Sequence, residues 1–168
     1  MTIDVSQIIK ITGARIDICN DIDLQVADFL GGSYKFPNPL KAEGEIYNNG
    51  KSLTLSVHIT GKMETECARC LKPIEVDVDY TVHELLSRAE DNSGTDDDII
   101  IDGYEVDIDA IAADNFLMNI SGKYLCSDDC KGLCPTCGHD LNEGECGCDN
   151  EYIDPRWQAL ADIINNKE

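Results

Sequence analysis

Apolar and polar residues alternate along much of the N-terminal half of the chain. Every second side chain from Leu53 to Ile59, and again from Ile74 to Val82, is Leu, Val, Ile or Tyr. A period of two places alternate side chains on opposite faces of a β-strand. The two stretches therefore predict strands that bury one face and expose the other to water.

Weaker alternation predicts further strands over residues 15–25 and 40–47. Asn49-Gly50 follows the second of these and favours a two-residue hairpin turn, because both residues accept positive φ. Residues 99–101 and 104–106 predict a short hairpin around Asp102-Gly103. Asp107 is a candidate N-cap for a helix over residues 107–119.

These elements predict an α+β fold with a mostly antiparallel sheet, with closure into a barrel as one option, and a central helix. The predicted main domain covers residues 1–125 and includes an acidic loop at 89–106. A cysteine-rich module follows at 126–150. A C-terminal helix over 151–168 begins at Asp154-Pro155 and is expected to pack Trp157 on the main domain.

Eight of the nine cysteines form four close pairs, which is typical of a metal protein. Structural zinc is held by four thiolates at the corners of a tetrahedron, so eight ligands suit one or two structural zinc ions. Between residues 126 and 148 the chain has few large apolar residues, and bound zinc would supply the stability that a core cannot. The pairs are Cys67–Cys70, Cys126–Cys130, Cys134–Cys137 and Cys146–Cys148.

Two ways of grouping the pairs are considered. In the favoured arrangement, Cys67 and Cys70 join Cys126 and Cys130, while the last four cysteines form a local site. In the other arrangement, the Cys67–Cys70 pair joins the Cys134–Cys137 pair. A third option is that only one site binds metal. The Cys67–Cys70 pair lies between the two strongest strands, so a metal bound there is expected to help hold the end of a long hairpin in register.

Charge narrows the classes of partner. The net charge is −20, which repels nucleic acid and attracts basic proteins. Five basic residues nevertheless lie near the cysteines in sequence. They either neutralise thiolate charge or form a small patch for phosphate or a partner's carboxylates: Lys62, Arg69, Lys72, Lys123 and Lys131.

No arrangement of residues predicts catalysis. Four thiolates around one ion also leave no open coordination position for a water molecule or a substrate. We therefore expect a protein that is not an enzyme and has no small-molecule substrate. Cys19 is expected to be a free thiol. No leader and no apolar run of membrane-spanning length is visible, so the expected location is the cytoplasm, where disulfides are rare.

The order of motifs resembles the YceD family, the large ribosomal RNA subunit accumulation proteins of bacteria. The resemblance rests on Cys67-Ala-Arg-Cys70-Leu71, on Lys131-Gly-Leu-Cys134-Pro-Thr-Cys137-Gly138, on Cys146-Gly-Cys148 and on Asp154-Pro-Arg-Trp157. It implies a role in 23S rRNA accumulation and assembly of the large ribosomal subunit. Genes of the family often neighbour that of ribosomal protein L32, a small basic protein.

Three hypotheses follow. The leading one is a non-enzymatic ribosome-biogenesis factor with structural zinc that binds a basic ribosomal protein, with L32 as the candidate, or the pre-50S particle. The second is a zinc protein that binds rRNA directly through the five basic residues. The third, a zinc or thiol redox switch, is the least favoured.

Overall fold

The computed structural model of the 168-residue chain describes residues 1–24, 27–29, 32–88 and 98–148. The predicted C-terminal helix and residues 89–97 of the predicted acidic loop lie outside these residues. Within them, nine strands precede one helix. In chain order these are β1 (Thr2–Asp4), β2 (Arg15–Ile22), β3 (Ala27–Phe29), β4 (Gly32–Tyr34), β5 (Leu40–Asn48), β6 (Leu53–Glu66), β7 (Pro73–Arg88), β8 (Ile99–Ile101), β9 (Glu105–Asp107) and α1 (Ile108–Asn119).

The long antiparallel hairpin of β6 and β7 is the centre of the fold. β6 pairs with β7 over its whole length, from Leu53 opposite Leu86 to Glu66 opposite Pro73. Apolar side chains at alternate positions of β6 are buried, whereas those between them are exposed or half-buried. The prediction of two strands that each bury one face and expose the other to solvent is confirmed. The Cys67–Cys70 turn closes the hairpin, as predicted.

The loop between β5 and β6 is longer than predicted. Asn48 is the last paired residue of β5 and Leu53 the first of β6, so the loop has four residues rather than two. The side-chain Oδ1 of Asn49 accepts hydrogen bonds from the backbone N–H groups of Lys51 and Ser52 at 2.9 and 3.0 Å. This side-chain turn closes the wider loop and explains why the two-residue prediction was wrong.

The main sheet is mixed, whereas a mostly antiparallel sheet was expected. Its strand order is β2-β5-β6-β7-β8; the first four strands are antiparallel, but β8 runs parallel to β7, with Ile99 opposite Leu86. The edge strands β2 and β8 do not pair with each other, so the described strands form an open sheet rather than a barrel. The three apolar residues Ile99–Ile101 predict a strand but not its direction, so the parallel pairing could not be predicted.

The predicted hairpin over residues 99–106 is wrong. Its two halves are β8 and β9, but β9 pairs with β1 at the start of the chain, with Ile3 opposite Val106. Val106 is completely buried, and Val5 just after β1 is too. A strand of the N-terminal segment therefore outcompetes the adjacent β8 because it buries these apolar residues in the core. β3 and β4 form a separate two-stranded sheet.

Helix α1 packs on the buried face of the sheet. Asp107 caps it, as predicted, by accepting hydrogen bonds from the backbone N–H groups of Asp109 and Ala110. The helix then buries Ile108, Ile111, Ala112 and Phe116. No helix among the described residues is long and apolar enough to cross a membrane.

Candidate metal centres

The first centre joins the tip of the long hairpin to a segment that follows α1. Its four Sγ atoms all lie within 4.8 Å of one another. The Sγ atoms of Cys67 and Cys130 are 3.8 Å apart, and those of Cys70 and Cys126 are 3.6 Å apart. The structure thus groups the pairs as in the favoured arrangement. This set of four cysteines is called centre 1 below.

The spacing of these sulfurs suits a tetrahedral ion. A tetrahedron with zinc–sulfur bonds of about 2.3 Å has sulfur–sulfur edges of roughly 3.8 Å. A disulfide would bring two sulfurs to about 2.05 Å, and all nine cysteines are instead free thiols. Three members of centre 1, Cys67, Cys70 and Cys130, are buried in a small cluster with Ile74, Leu125 and Leu133 packed around it. The donor set and its dry surroundings therefore fit a structural metal.

The hairpin tip is shaped to present its sulfurs. The N–H of Cys67 donates to the Lys72 carbonyl at 2.8 Å, and the N–H of Leu71 donates back to the Cys67 carbonyl at 2.9 Å. Leu71 closes the turn with φ of 59°, the left-handed conformation. Burial alone would raise the pKa of Cys67, but backbone N–H groups of Cys70 and Arg69 bond its sulfur and lower that pKa to about 6.

The second centre is formed by Cys134, Cys137, Cys146 and Cys148, whose Sγ atoms also lie within 4.8 Å of one another. This set is called centre 2. Its first knuckle repeats the local geometry of the hairpin tip, since the N–H of Gly138 donates to the Cys134 carbonyl at 2.8 Å. Hydrogen bonds from the backbone N–H groups of Cys137 and Thr136 lower the pKa of Cys134 to about 6 despite its burial.

Both centres hold protons that a cation would displace. Cys126 shares protons with the neighbouring sulfurs of Cys130 and Cys70, which raises its pKa to about 12. The pKa of Cys148 is raised to about 12 in the same way, by hydrogen bonds with the sulfurs of Cys137 and Cys146. Each centre therefore contains a sulfur with a lowered pKa and a sulfur with a raised pKa, because four thiolates without a cation repel one another. A divalent ion removes that repulsion and releases the protons.

The hairpin tip and the segment of Cys130 fit closely against each other. Nη1 of Arg69 donates to the Cys130 carbonyl at 2.6 Å, and the Arg69 carbonyl accepts the N–H of Leu133 at 3.2 Å. Gly132 has φ of 78°, and a Cβ there would lie 3.0 Å from the Arg69 carbonyl oxygen. The glycine is thus required both by its conformation and by this close approach.

One residue near centre 1, Asn142, was not predicted from the sequence. Nδ2 of Asn142 lies 3.4 Å from the Sγ of Cys130, to which it donates. Its Oδ1 accepts the backbone N–H of Lys131 at 2.8 Å. Asn142 belongs to the loop that joins the two halves of centre 2, so sequence spacing gives no sign that it serves centre 1.

Three of the five basic residues near the cysteines bind groups of the protein itself. Lys62 pairs with Glu75, Arg69 bonds carbonyls, and Lys72 lies 2.7 Å from Asp140 and 3.3 Å from Glu143. Lys123 and Lys131 form no ion pair within the described part of the chain. The basic patch suggested by the sequence stays a prediction. Cys19 is exposed on β2 and belongs to neither described cysteine group.

Comparison with known proteins identifies the family. The family model described as "Large ribosomal RNA subunit accumulation protein YceD" matches residues 55–164. The chain belongs to this family. The match begins within β6 and includes all eight cysteines of the two centres, so the part of the chain that holds both centres is YceD sequence. The YceD description links the family to accumulation of large-subunit ribosomal RNA.

Several curated relatives are uncharacterized mycobacterial proteins. Proteins of Mycobacterium tuberculosis and Mycobacterium bovis are 32% identical over 123 residues, covering 68% of this chain and 58% of the relative. A Mycobacterium leprae protein is 25% identical over 131 residues, covering 75% of this chain and 59% of the relative. The chain thus spans less than two thirds of the length of these relatives. No solved structure matches this YceD protein.

Proposed function

We propose that this protein is a non-enzymatic ribosome-biogenesis factor that supports 23S rRNA accumulation and large-subunit assembly, with a structural zinc ion in each cysteine centre. The observation that carries the proposal is the YceD match across residues 55–164. The two sets of four neighbouring sulfurs support the zinc part of it. Zinc bound by four thiolates would hold the hairpin tip and the cysteine module together; it would offer no open position for catalysis.

The proposed partner is a basic ribosomal protein, with L32 as the candidate. Its support is electrostatic: the net charge is −20, and the exposed face of the sheet carries acidic side chains on adjacent strands. Glu64 on β6 stands directly opposite Glu75 on β7. Lys62 pairs with Glu75 and offsets part of the repulsion between these like charges, but acids still outnumber bases on this face, so the surface favours a cationic partner.

Direct rRNA binding through the five basic residues is the weaker alternative. Lys62, Arg69 and Lys72 are engaged inside the protein, so they offer less charge to phosphate. The remaining candidates are Lys123 and Lys131. Reversal of both charges, Lys123→Glu with Lys131→Glu, should leave association with pre-50S particles unchanged under the protein-partner proposal. Loss of association would favour the RNA alternative.

The direct test is binding of the purified zinc-loaded protein to purified L32 by calorimetry, at low and at high salt. We expect binding that weakens steeply as salt rises, because screening shortens the reach of exposed charges. Failure to bind at low salt would refute L32 as the partner. A strain lacking the protein should in addition accumulate less 23S rRNA, and normal accumulation would refute the biogenesis role.

A matched pair of variants separates local from overall charge. The first reverses three acids of the exposed sheet face, Glu64, Asp77 and Asp79, to lysine. The second makes the same net change elsewhere, at the exposed Asp102, Asp114 and Asp129. Equal weakening of L32 binding would assign the attraction to the overall field, whereas weakening by the first variant alone would assign it to the sheet face.

A further inference from the structure

The loop of centre 2 reaches centre 1 through its side chains. This loop covers residues 138–145, between the two cysteine pairs of centre 2, and it carries Asp140, Asn142 and Glu143. Asn142 donates to the Cys130 sulfur. Lys72, two residues beyond Cys70, forms an ion pair with Asp140 and donates a hydrogen bond to Glu143. The same loop thus contacts both halves of centre 1.

Asn142 is itself held in place by Asp140. Oδ1 of Asp140 accepts hydrogen bonds from the backbone N–H of Asn142 at 2.8 Å and from its Nδ2 at 2.7 Å. Oδ2 of Asp140 faces the Lys72 ammonium at 2.7 Å. The ammonium lowers the pKa of Asp140 to about 2, so this carboxylate is ionised at neutral pH. The chain of contacts from Lys72 to Asp140 to Asn142 orients one N–H toward the Cys130 sulfur.

We propose that Asn142 is a positioning residue for the metal of centre 1, and that binding of metal at centre 2 raises the affinity of centre 1 by fixing the loop that carries Asn142. A hydrogen bond to a ligating sulfur favours its thiolate form and holds its direction. With centre 2 empty, ordering of residues 138–145 opposes metal binding at centre 1. With centre 2 loaded, that ordering is already complete.

The coupling is reciprocal by thermodynamic necessity. If metal at centre 2 raises the affinity of centre 1 by a given factor, metal at centre 1 raises that of centre 2 equally. Coupling of this kind is typically about 5–150-fold. The two centres then load and empty together over a narrow range of free zinc, and the protein spends little time with one ion. This inference rests on metal binding by both centres and is independent of the ribosomal partner.

The test follows occupancy of centre 1 by alkylation of its thiols in the full-length reduced protein at buffered free zinc. Mass spectrometry of the peptide that carries Cys67 gives the free zinc at half-protection. A variant without centre 2, Cys146→Ser with Cys148→Ser, should need at least about 5-fold more free zinc. Asn142→Ala should need about 10-fold more, since removal of groups that orient ligands typically costs 10–100-fold.

Three further variants isolate the cause. Asn142→Asp keeps an acceptor for the Lys131 N–H but loses the donor to sulfur, so it should weaken zinc binding as Asn142→Ala does. Asn119→Ala, which removes a hydrogen bond within α1, should leave half-protection unchanged. Combining Asn142→Ala with loss of centre 2 should cost no more than the larger single effect, because both act through one contact.

The outcomes distinguish the two proposals. Fewer than two zinc ions per wild-type chain would refute metal binding at both centres and the coupling with it. Two ions with unchanged half-protection of Cys67 after loss of centre 2 would refute the coupling alone. Independent, multiplying effects of Asn142→Ala and of centre-2 loss would show that Asn142 does not transmit it.

Discussion

The hydroxyl of Tyr80 on β7 donates a hydrogen bond to the backbone carbonyl of Ala112 in α1, at 2.9 Å in the buried interior. This bond ties the only helix of the described chain to the central hairpin. It also satisfies a polar group in the core, which would otherwise carry a desolvation penalty.

Tyr80→Phe should lower the free energy of unfolding by about 1 kcal/mol, because it removes this hydrogen bond from the buried interior. Urea denaturation of the zinc-loaded protein measures the change. Tyr47→Phe is the matched control, since Tyr47 is exposed on β5. A loss at Tyr47 as large as that at Tyr80 would contradict the assignment.

The difference in stability between wild type and Tyr80→Phe should depend on pH. Burial raises the pKa of Tyr80 above its ordinary value of 10.0, so above that pH the unfolded chain loses the Tyr80 proton before the folded chain does. Ionisation then favours unfolding. The stability advantage of wild type over Tyr80→Phe should be constant below pH 10 and shrink above it. An advantage that grows at alkaline pH would disprove the raised pKa.

Gly44 and Gly61 should differ sharply in their tolerance of alanine. A Cβ on Gly44 would lie 2.1 Å from the Ser56 carbonyl oxygen and 2.6 Å from the Val57 Cα, both backbone atoms of the paired strand. The sheet must distort to admit it. We expect Gly44→Ala to cost about 3 kcal/mol of unfolding free energy.

Gly61→Ala is the comparison. Its Cβ would meet the Cδ2 of Leu40 at 2.4 Å, the end of a side chain that can rotate. The expected cost is about 1 kcal/mol. Both variants are measured by chemical denaturation, and equal losses would show that the sheet relaxes around Gly44.

Asp107→Ala should destabilise α1 at its first turn. The side chain accepts from two backbone N–H groups that have no other partner within the helix, and such a cap is worth about 1 kcal/mol. Asp107→Asn keeps the acceptor and should cost no more than a few tenths of that. The midpoint of urea unfolding reports both, and a ranking with Asn worse than Ala would argue against capping.

Cys67→Ser should destabilise the zinc-loaded protein more than Cys146→Ser. Cys67 is fully buried at the end of the longest hairpin, whereas Cys146 is half-buried in the cysteine module. Loss of a structural ion at centre 1 should lower the melting temperature by on the order of 10 °C, and loss at centre 2 by roughly half as much. Cys19→Ser changes an exposed lone thiol, so its melting temperature should stay within about 1 °C of that of wild type. Equal melting temperatures for Cys67→Ser and Cys146→Ser would contradict the order.

Regular patterns made much of the fold predictable. Seven alternating residues mark β6 and nine mark β7 whatever their neighbours are, and Asp107 marks the start of α1 through its own side chain. Short strands carry no such signal. β1 and β9 have three residues each and lie far apart in sequence, so only the folded core shows that Ile3 meets Val106.

The candidate site divides in the same way. The eight cysteines could be named from spacing, because a knuckle is a local structure. The favoured grouping also came from spacing, because the eight residues between Cys137 and Cys146 give a compact loop that can close on one ion. Asn142 could not be named, because its role arises from contact between two loops, and an asparagine in a glycine-rich loop is an ordinary turn residue.

Centre 1 joins residues that leave the ribosome at different times. Cys67 and Cys130 are 63 positions apart, and Cys70 and Cys126 are 56 apart. At about 5–20 residues per second, the second pair of sulfurs emerges roughly 3–12 s after the first. The hairpin and α1 are therefore synthesised before their metal can be fully enclosed. Assembly of the complete four-sulfur site is thus a late step in synthesis of the chain. Once assembled, the site closes the intervening residues into a loop.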